Sequence, residues 1–205
     1  MLFSKIFRQD TSNMNYPLLI SPFDIEFSEM NPAQAREHLK WFISQIPERI
    51  KLLSGVSAIP LDYSDASLIH LWEWFLPRVR SEKKSNEEMS KELSVVPEWL
   101  KETYSTDPSH TNKLTKESSV LAIDISMYFS NMFLNKYPML KWSVNTKAKK
   151  YVYYNKPVIS GFGKQELSSV DVVINLTRRV AFDGDKDPNG LFNLYSVWSE
   201  YIPND

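Results

Sequence analysis

Between Lys116 and Lys136 the chain reads KESSVLAIDISMYFSNMFLNK, and this segment constrains the fold more than any other. Thr115 stands where a helix cap belongs, and Val120, Leu121, Ile123, Ile125, Met127, Phe129, Met132, Phe133 and Leu134 then occupy nearly every side of the helix. A helix that is apolar all round has no face to offer water, so other elements must enclose it. The segment is therefore predicted to be the central buried helix of a domain. Asp124 is its one charged interruption, with Asn131 seven positions later on the same side and Tyr128 between them.

The flanking sequence supplies the enclosing elements. Asn31-Pro32 is a cap residue followed by a first-turn proline, and Leu39, Phe42, Ile43 and Ile46 recur at helical spacing after it. Pro47 is expected to break that helix, with a second one over 47–53 ending before Gly55. Ser64 or Asp65 can cap a third helix whose buried stripe is Leu68, Leu71, Trp72 and Phe75, ended by Pro77. A short helix is expected over 97–104, with Pro97 in the first turn. Beyond Pro138 the pattern shortens to β-rich runs. The segments 141–144, 151–154 and 157–162 are predicted as three strands of an antiparallel meander. Residues 168–182 and 190–202 read as two closing helices, the latter with Leu191, Leu194, Tyr195, Trp198 and Ile202 on one face. The expected fold class is α+β: a helical N-terminal half, the central buried helix, a small antiparallel three-stranded meander and two C-terminal helices. A single domain over 1–205 is expected, with polar, mobile segments near 81–92 and 105–114.

Composition narrows the chemistry. With no cysteine there is no disulfide, no thiolate metal site and no Cys nucleophile, and a reducing compartment suits the chain. The first residues lack the apolar run and small-residue cleavage site of a signal peptide, and no stretch has the apolar length of a membrane span. The expectation is a cytoplasmic protein without a membrane partner. Five glycines, none in a GxGxxG, GxxxxGK[ST] or GxSxG arrangement, leave no phosphate cradle or nucleophile elbow. No cofactor is implied.

Three clusters invite chemistry. Asp185-Lys186-Asp187-Pro188-Asn189-Gly190 copies the first half of a calcium loop, but the twelfth position is Ser196 instead of the closing glutamate and falls in the last helix. The segment reads as a turn entering that helix. His70 and Glu73 share a helix face, without the second histidine that a metal hydrolase motif requires. Asp124, in apolar surroundings, has the setting of a raised-pKa general base, and also that of a carboxylate buried and satisfied by hydrogen bonds. No catalytic residue and no metal ligand is assigned. A small hydrolase or nucleotide-processing enzyme using Asp124 with His70 and Glu73 is kept as an alternative.

The strongest anomaly is electrostatic. Net charge is −1, yet no acidic residue occurs between Asp124 and Glu166, a stretch that holds Lys136, Lys141, Lys147, Lys149, Lys150, Lys156 and Lys164. Tyr128, Tyr137, Trp142, Tyr151, Tyr153 and Tyr154 are interleaved with them. Lysines beside stacking aromatics suit single-stranded nucleic acid, an acidic protein surface, or a solvated strand edge that resists pairing. Lysine instead of arginine, a pI near 6.3 and the lack of an RNA-binding motif weigh against nucleic acid.

The runs LDYSDASLIHLWEWF at 61–75, WSVNTKAKKYVYYNKPVISGF at 142–162 and GLFNLYSVWSEYI at 190–202 resemble small cytosolic bacterial proteins, some similar to immunity proteins of polymorphic toxin systems. The shared features are packing patterns, so the resemblance carries over no catalytic residue. It implies a non-enzymatic protein-binding module that neutralises a cognate toxin by covering its surface. The expected contact residues are Trp142, Lys147, Lys149, Lys150, Tyr151 and Tyr153. Nucleic-acid binding through the acid-free stretch 125–165 is the remaining alternative.

Overall fold

The computed structural model describes residues 16–203. In chain order it contains α1 (Pro32–Ser57), α2 (Asp65–Phe75), β1 (Ser81–Lys83), α3 (Asn86–Leu93), α4 (Lys101–Thr106), α5 (Pro108–Thr111) and β2 (Asn112–Leu114). It continues with α6 (Lys116–Lys136), β3 (Lys141–Val144), β4 (Pro157–Phe162), β5 (Gln165–Leu167), α7 (Ser169–Arg178) and α8 (Gly190–Ser199). The fold is α+β: eight helices and a three-stranded antiparallel sheet in the order β3-β4-β5, with a separate β1-β2 pair, among the described residues.

α6 sits at the centre, as its composition demands. Thr115 caps it through Ser118 N, and every residue from Ser118 to Ser130 is buried. α1, α2 and α7 pack around it. Its polar atoms are absorbed locally: Ser130 Oγ lies 2.7 Å from both the Ser126 carbonyl and Ser169 Oγ, which joins α6 to α7. Tyr128 brings a hydroxyl into the core and satisfies it by accepting from Tyr63 N at 2.8 Å and pairing with Ser67 Oγ. A buried hydroxyl without such partners costs about 1–3 kcal/mol.

α1 departs from the sequence expectation. It opens on an Asn31–Gln34 capping box with Pro32 in the first turn, then runs through Pro47 without breaking. The proline removes one donor, to the Ile43 carbonyl, and burial on both sides of it holds the helix together. Phe42 and Ile46 before it and Ile50 and Leu53 after it enter the same core. The helix also passes Gly55, ending instead at Ala58 in the left-handed region (φ 55°). Its buried row is Ala35, His38, Phe42, Ile46, Arg49, Ile50, Leu53 and Ser57, so the two polar residues His38 and Arg49 take places where Leu39 and Ile43 were expected.

The polar segments near 81–92 and 105–114 take regular structure. β1 pairs antiparallel with β2, with Ser81 opposite Leu114 and Lys83 opposite Asn112. Ser85 starts α3 with a capping box, and Lys84–Glu92 (2.6 Å) and Lys113–Glu88 (2.8 Å) tie the pieces together. Apart from Leu114, which enters the core, neither segment buries an apolar side chain, which is why the sequence read as loop; each instead serves as the other's partner.

In the sheet, β4 lies between β3 and β5, with Trp142 opposite Ile159 and Ile159 opposite Leu167. The expected strand at 151–154 is absent. That segment belongs to the loop joining β3 to β4, and β5 supplies the third strand. Gly161 (φ 115°) marks a bulge, and a Cβ there would lie 2.7 Å from Leu140 Cδ2. No helix among the described residues is long and apolar enough to cross a membrane.

Candidate partner-binding surface

The loop between β3 and β4 holds most of the residues expected to make contact. It is built from successive turns, because its residues satisfy their backbone locally. Asn145 Oδ1 accepts from Lys147 N and Ala148 N, and Tyr151 N, Tyr154 N and Lys156 N donate to the carbonyls of Ala148, Tyr151 and Tyr153. These short-range bonds compete with a strand ladder and prevail over the β propensity of the tyrosines.

Asn155 fixes the loop. Its backbone lies at φ 61°, a region that asparagine tolerates better than most residues, and its N–H donates to Asn145 O at 2.8 Å. Its fully buried side chain donates from Nδ2 to the carbonyls of both Phe27 and Met30, each at 2.8 Å. The base of the loop is thereby stapled to the segment that precedes α1. Lys156 adds an ion pair with Asp171 at 2.8 Å.

Above this base, Lys147, Lys149 and Lys150 are exposed and make no ion pair with any described residue. Val152 is 69% exposed beside them. Tyr151 and Tyr153 are half-buried with rings edge to face at 5.5 Å. Burial, aided by a hydrogen bond to Glu166, pushes the Tyr151 hydroxyl up to about 12, so it remains a neutral donor. Trp142 lies apart in role. It is half-buried on β3 with its ring edge to face against Phe42 at 5.6 Å, and it packs on the core. The loop thus unites five of the six expected residues, and Trp142 lies on β3 against the core.

The second feature is a slot beside the loop's base. Phe27, His38, Trp41, Phe42, Pro157 and Val170 form its walls, together with Lys156 and Ser168. Its cavity volume is about 20 Å³, room for about one water. His38 is only 4% exposed, its ring set among Phe23, Phe27 and Trp41 at centroid distances of 5.7, 4.9 and 5.2 Å. Burial pulls its pKa down to about 4, which leaves the imidazole neutral at neutral pH. His38 Nδ1 is buried without a hydrogen-bond partner. Sequence reasoning passed over both His38 and Asn155. His38 shares a helical row with Phe42 and Ile46, which was the available signal; nothing local marked Asn155 as buried.

Asp124 is a different object. Oδ1 accepts from Arg49 Nε at 2.8 Å, while Oδ2 lies 2.7 Å from Arg49 Nη2 and accepts from the Tyr16 hydroxyl at 2.5 Å. Arg49 also donates from Nη1 to the Pro17 carbonyl at 3.0 Å. Burial pushes the carboxyl up to about 6, against the opposing pull of Arg49. Asp124 is fully buried, whereas His70 and Glu73 are exposed on α2, so the three form no common site. The carboxylates of the Asp185–Gly190 turn are also engaged. Asp185 pairs with Arg179 at 2.6 Å and accepts from Asp187 N, and Asp187 accepts from Asn189 N and Asn193 Nδ2. Among the described residues no group of three His, Asp or Glu side chains is placed to hold a metal ion. Comparison with known proteins found no matching family model, no matching curated protein and no matching solved structure.

Proposed function

We propose that this chain is a non-enzymatic protein-binding module that meets an acidic partner through the β3–β4 loop. The observation that carries the reading is the set of exposed lysines 147, 149 and 150, without described ion-pair partners, on a loop whose base is stapled by Asn155. A fixed loop loses little conformational freedom on binding, and like charges gathered on it attract acidic surfaces and repel basic ones. The resemblance at 61–75, 142–162 and 190–202 makes a toxin domain the proposed partner class, neutralised by occlusion in the cytoplasm. The closed Asp124 cluster also favours binding over catalysis, because every carboxylate oxygen already has a protein partner.

The test is capture of partners from the native cell by tagged wild-type protein and by the combined Lys147→Glu, Lys149→Glu, Lys150→Glu variant. A protein retained by the wild type and lost from the folded variant supports the proposal. Equal retention by both sinks the loop as the contact. RNA co-purifying with the wild type in place of protein, with a steep salt dependence, transfers the lysines to nucleic-acid binding.

A further inference from the structure

α3 is attached to the molecule by its charged side. Glu88 and Glu92 bind Lys113 (2.8 Å) and Lys84 (2.6 Å), whereas Asn86, Met89, Ser90 and Leu93, spaced i, i+3, i+4 and i+7, lie on the side turned away. A surface helix ordinarily does the reverse, burying its apolar stripe and showing its charges to water. No residue of α3 is buried. The outward row, with Ser94 and Lys101, lines a shallow open groove of about 460 Å³. Residues 95–100 run from one wall of the groove to the other, and they carry Val95, 75% exposed, and Trp99, 79% exposed. These are the two most exposed large hydrophobic residues among those described. The connection is folded, with Val95 N donating to Glu92 O, Leu100 N donating to Pro97 O, and Lys101 paired with Glu98 at 2.7 Å.

These facts select an aromatic occupant and a second copy of the chain as its source. The thioether of Met89 and the ammonium of Lys101 are groups that approach an indole favourably, and Leu93 adds aliphatic surface. Trp99 stands beside the groove in the chain, and its exposure shows that it fills no groove of its own molecule. A protruding ring next to a groove makes one patch self-complementary, because a two-fold axis seats both rings at once. The charges beside the groove agree. Glu87 and Glu102 are exposed acids and Lys91 an exposed base, none ion-paired among the described residues, so two copies can set acid against base. The patch spans residues 86–102, fewer than the about 20–30 per side of a standard interface, which makes the association weak and concentration-dependent.

We propose that this patch is a two-fold interface between two copies of the chain, with Trp99 of each seated in the groove of the other against Met89 and Leu93. It uses neither the lysine loop nor the acidic partner of that loop, so either reading can fail without the other.

The test is sedimentation velocity of the full-length wild-type protein from about 1 to about 500 µM. The expected result is a mass that rises from monomer toward dimer, with a dissociation constant of about 10–100 µM. Trp99→Ser, at an exposed position where the circular dichroism spectrum should not change, is expected to weaken association at least tenfold, roughly the loss of one hot-spot side chain. Met89→Lys should do the same by charging the groove. The two variants mixed should associate more strongly than either alone, since the intact ring of one meets the intact groove of the other. A monomer throughout the range overturns the proposal, as does a dimer that survives Trp99→Ser. Loss of the dimer in the Lys147→Glu, Lys149→Glu, Lys150→Glu variant would place the contact at the loop and overturn it too, and species larger than a dimer would rule out the two-fold arrangement.

Discussion

Asp124 and His38 are both buried, both on helices of the core, and both driven by desolvation toward the neutral form. They differ in what surrounds them. Asp124 is held by Arg49 on two oxygens and by Tyr16 on one, a closed arrangement that ties the chain at Tyr16 and Pro17 to α1 and α6. His38 has rings on its sides and nothing on Nδ1. A buried polar residue whose partners are all supplied by the protein is part of the architecture. One whose partner is missing, as at His38 Nδ1, carries a desolvation cost of about 1–3 kcal/mol unless a water meets it.

The most severe way to break the comparison is to open the closed arrangement. Arg49→Leu leaves the Asp124 carboxylate buried with only Tyr16, and should lower stability by about 3–5 kcal/mol, measured by urea denaturation. An effect near zero would mean that the ion pair is not what secures α1 to α6.

Acid sharpens it next, because the two residues respond with opposite sign. The folded-state pKa of His38 lies below its unfolded value, so its contribution is present above about 6.5 and is lost as pH falls toward about 4. Asp124 is raised, so its contribution is present below the ordinary aspartate value and is lost as pH rises through about 6. The stability of His38→Phe relative to wild type should therefore improve by up to about 3 kcal/mol between pH 7 and pH 4. A pH-independent difference between the two proteins would show that His38 titrates normally.

Asn155→Ala is a smaller break, at the base of the β3–β4 loop. It strands the Phe27 and Met30 carbonyls and should cost about 2 kcal/mol, while Asn155→Gly, which keeps the positive φ, should cost nearly as much. If glycine restored wild-type stability, backbone conformation would be the whole role of the residue. The least effect on folding is expected from the combined Lys147, Lys149 and Lys150 reversal, within about 0.5 kcal/mol by thermal melting, since exposed side chains without ion pairs hold nothing together. A large loss there would make the lysines structural and remove the proposed contact.

Much of the framework was legible because it rests on local rules. Thr115 and the apolar run after it fixed the start of α6, and the stripe Leu68, Leu71, Trp72 and Phe75 marked α2, with the cap left between Ser64 and Asp65 until the structure chose Ser64. Those signals need only the helical period and a cap. The failures share a cause. Pro47 reads as a breaker, and only the packing of Phe42, Ile46, Ile50 and Leu53 into one core keeps α1 whole. Tyr151–Tyr154 has strand composition, and the turns stapled by Asn155 across to Phe27 and Met30 overrule it. The site was legible in part. The lysines were found because a missing charge type is visible along a line of sequence, and His38 was missed because a hydrogen bond left unmade is not.

The sequence by itself therefore determined that α2, α6 and α8 are helical, that α6 must be enclosed, and that positive charge gathers between Asp124 and Glu166. Those properties depend on residue type and spacing alone. Only the tertiary structure decided that Asp124 is closed off by Arg49 and Tyr16, that the polar strands β1 and β2 pair with each other, and that His38 is buried among Phe23, Phe27 and Trp41. Each of these joins residues distant in the chain, and whether a buried polar atom is satisfied depends on which distant group arrives beside it.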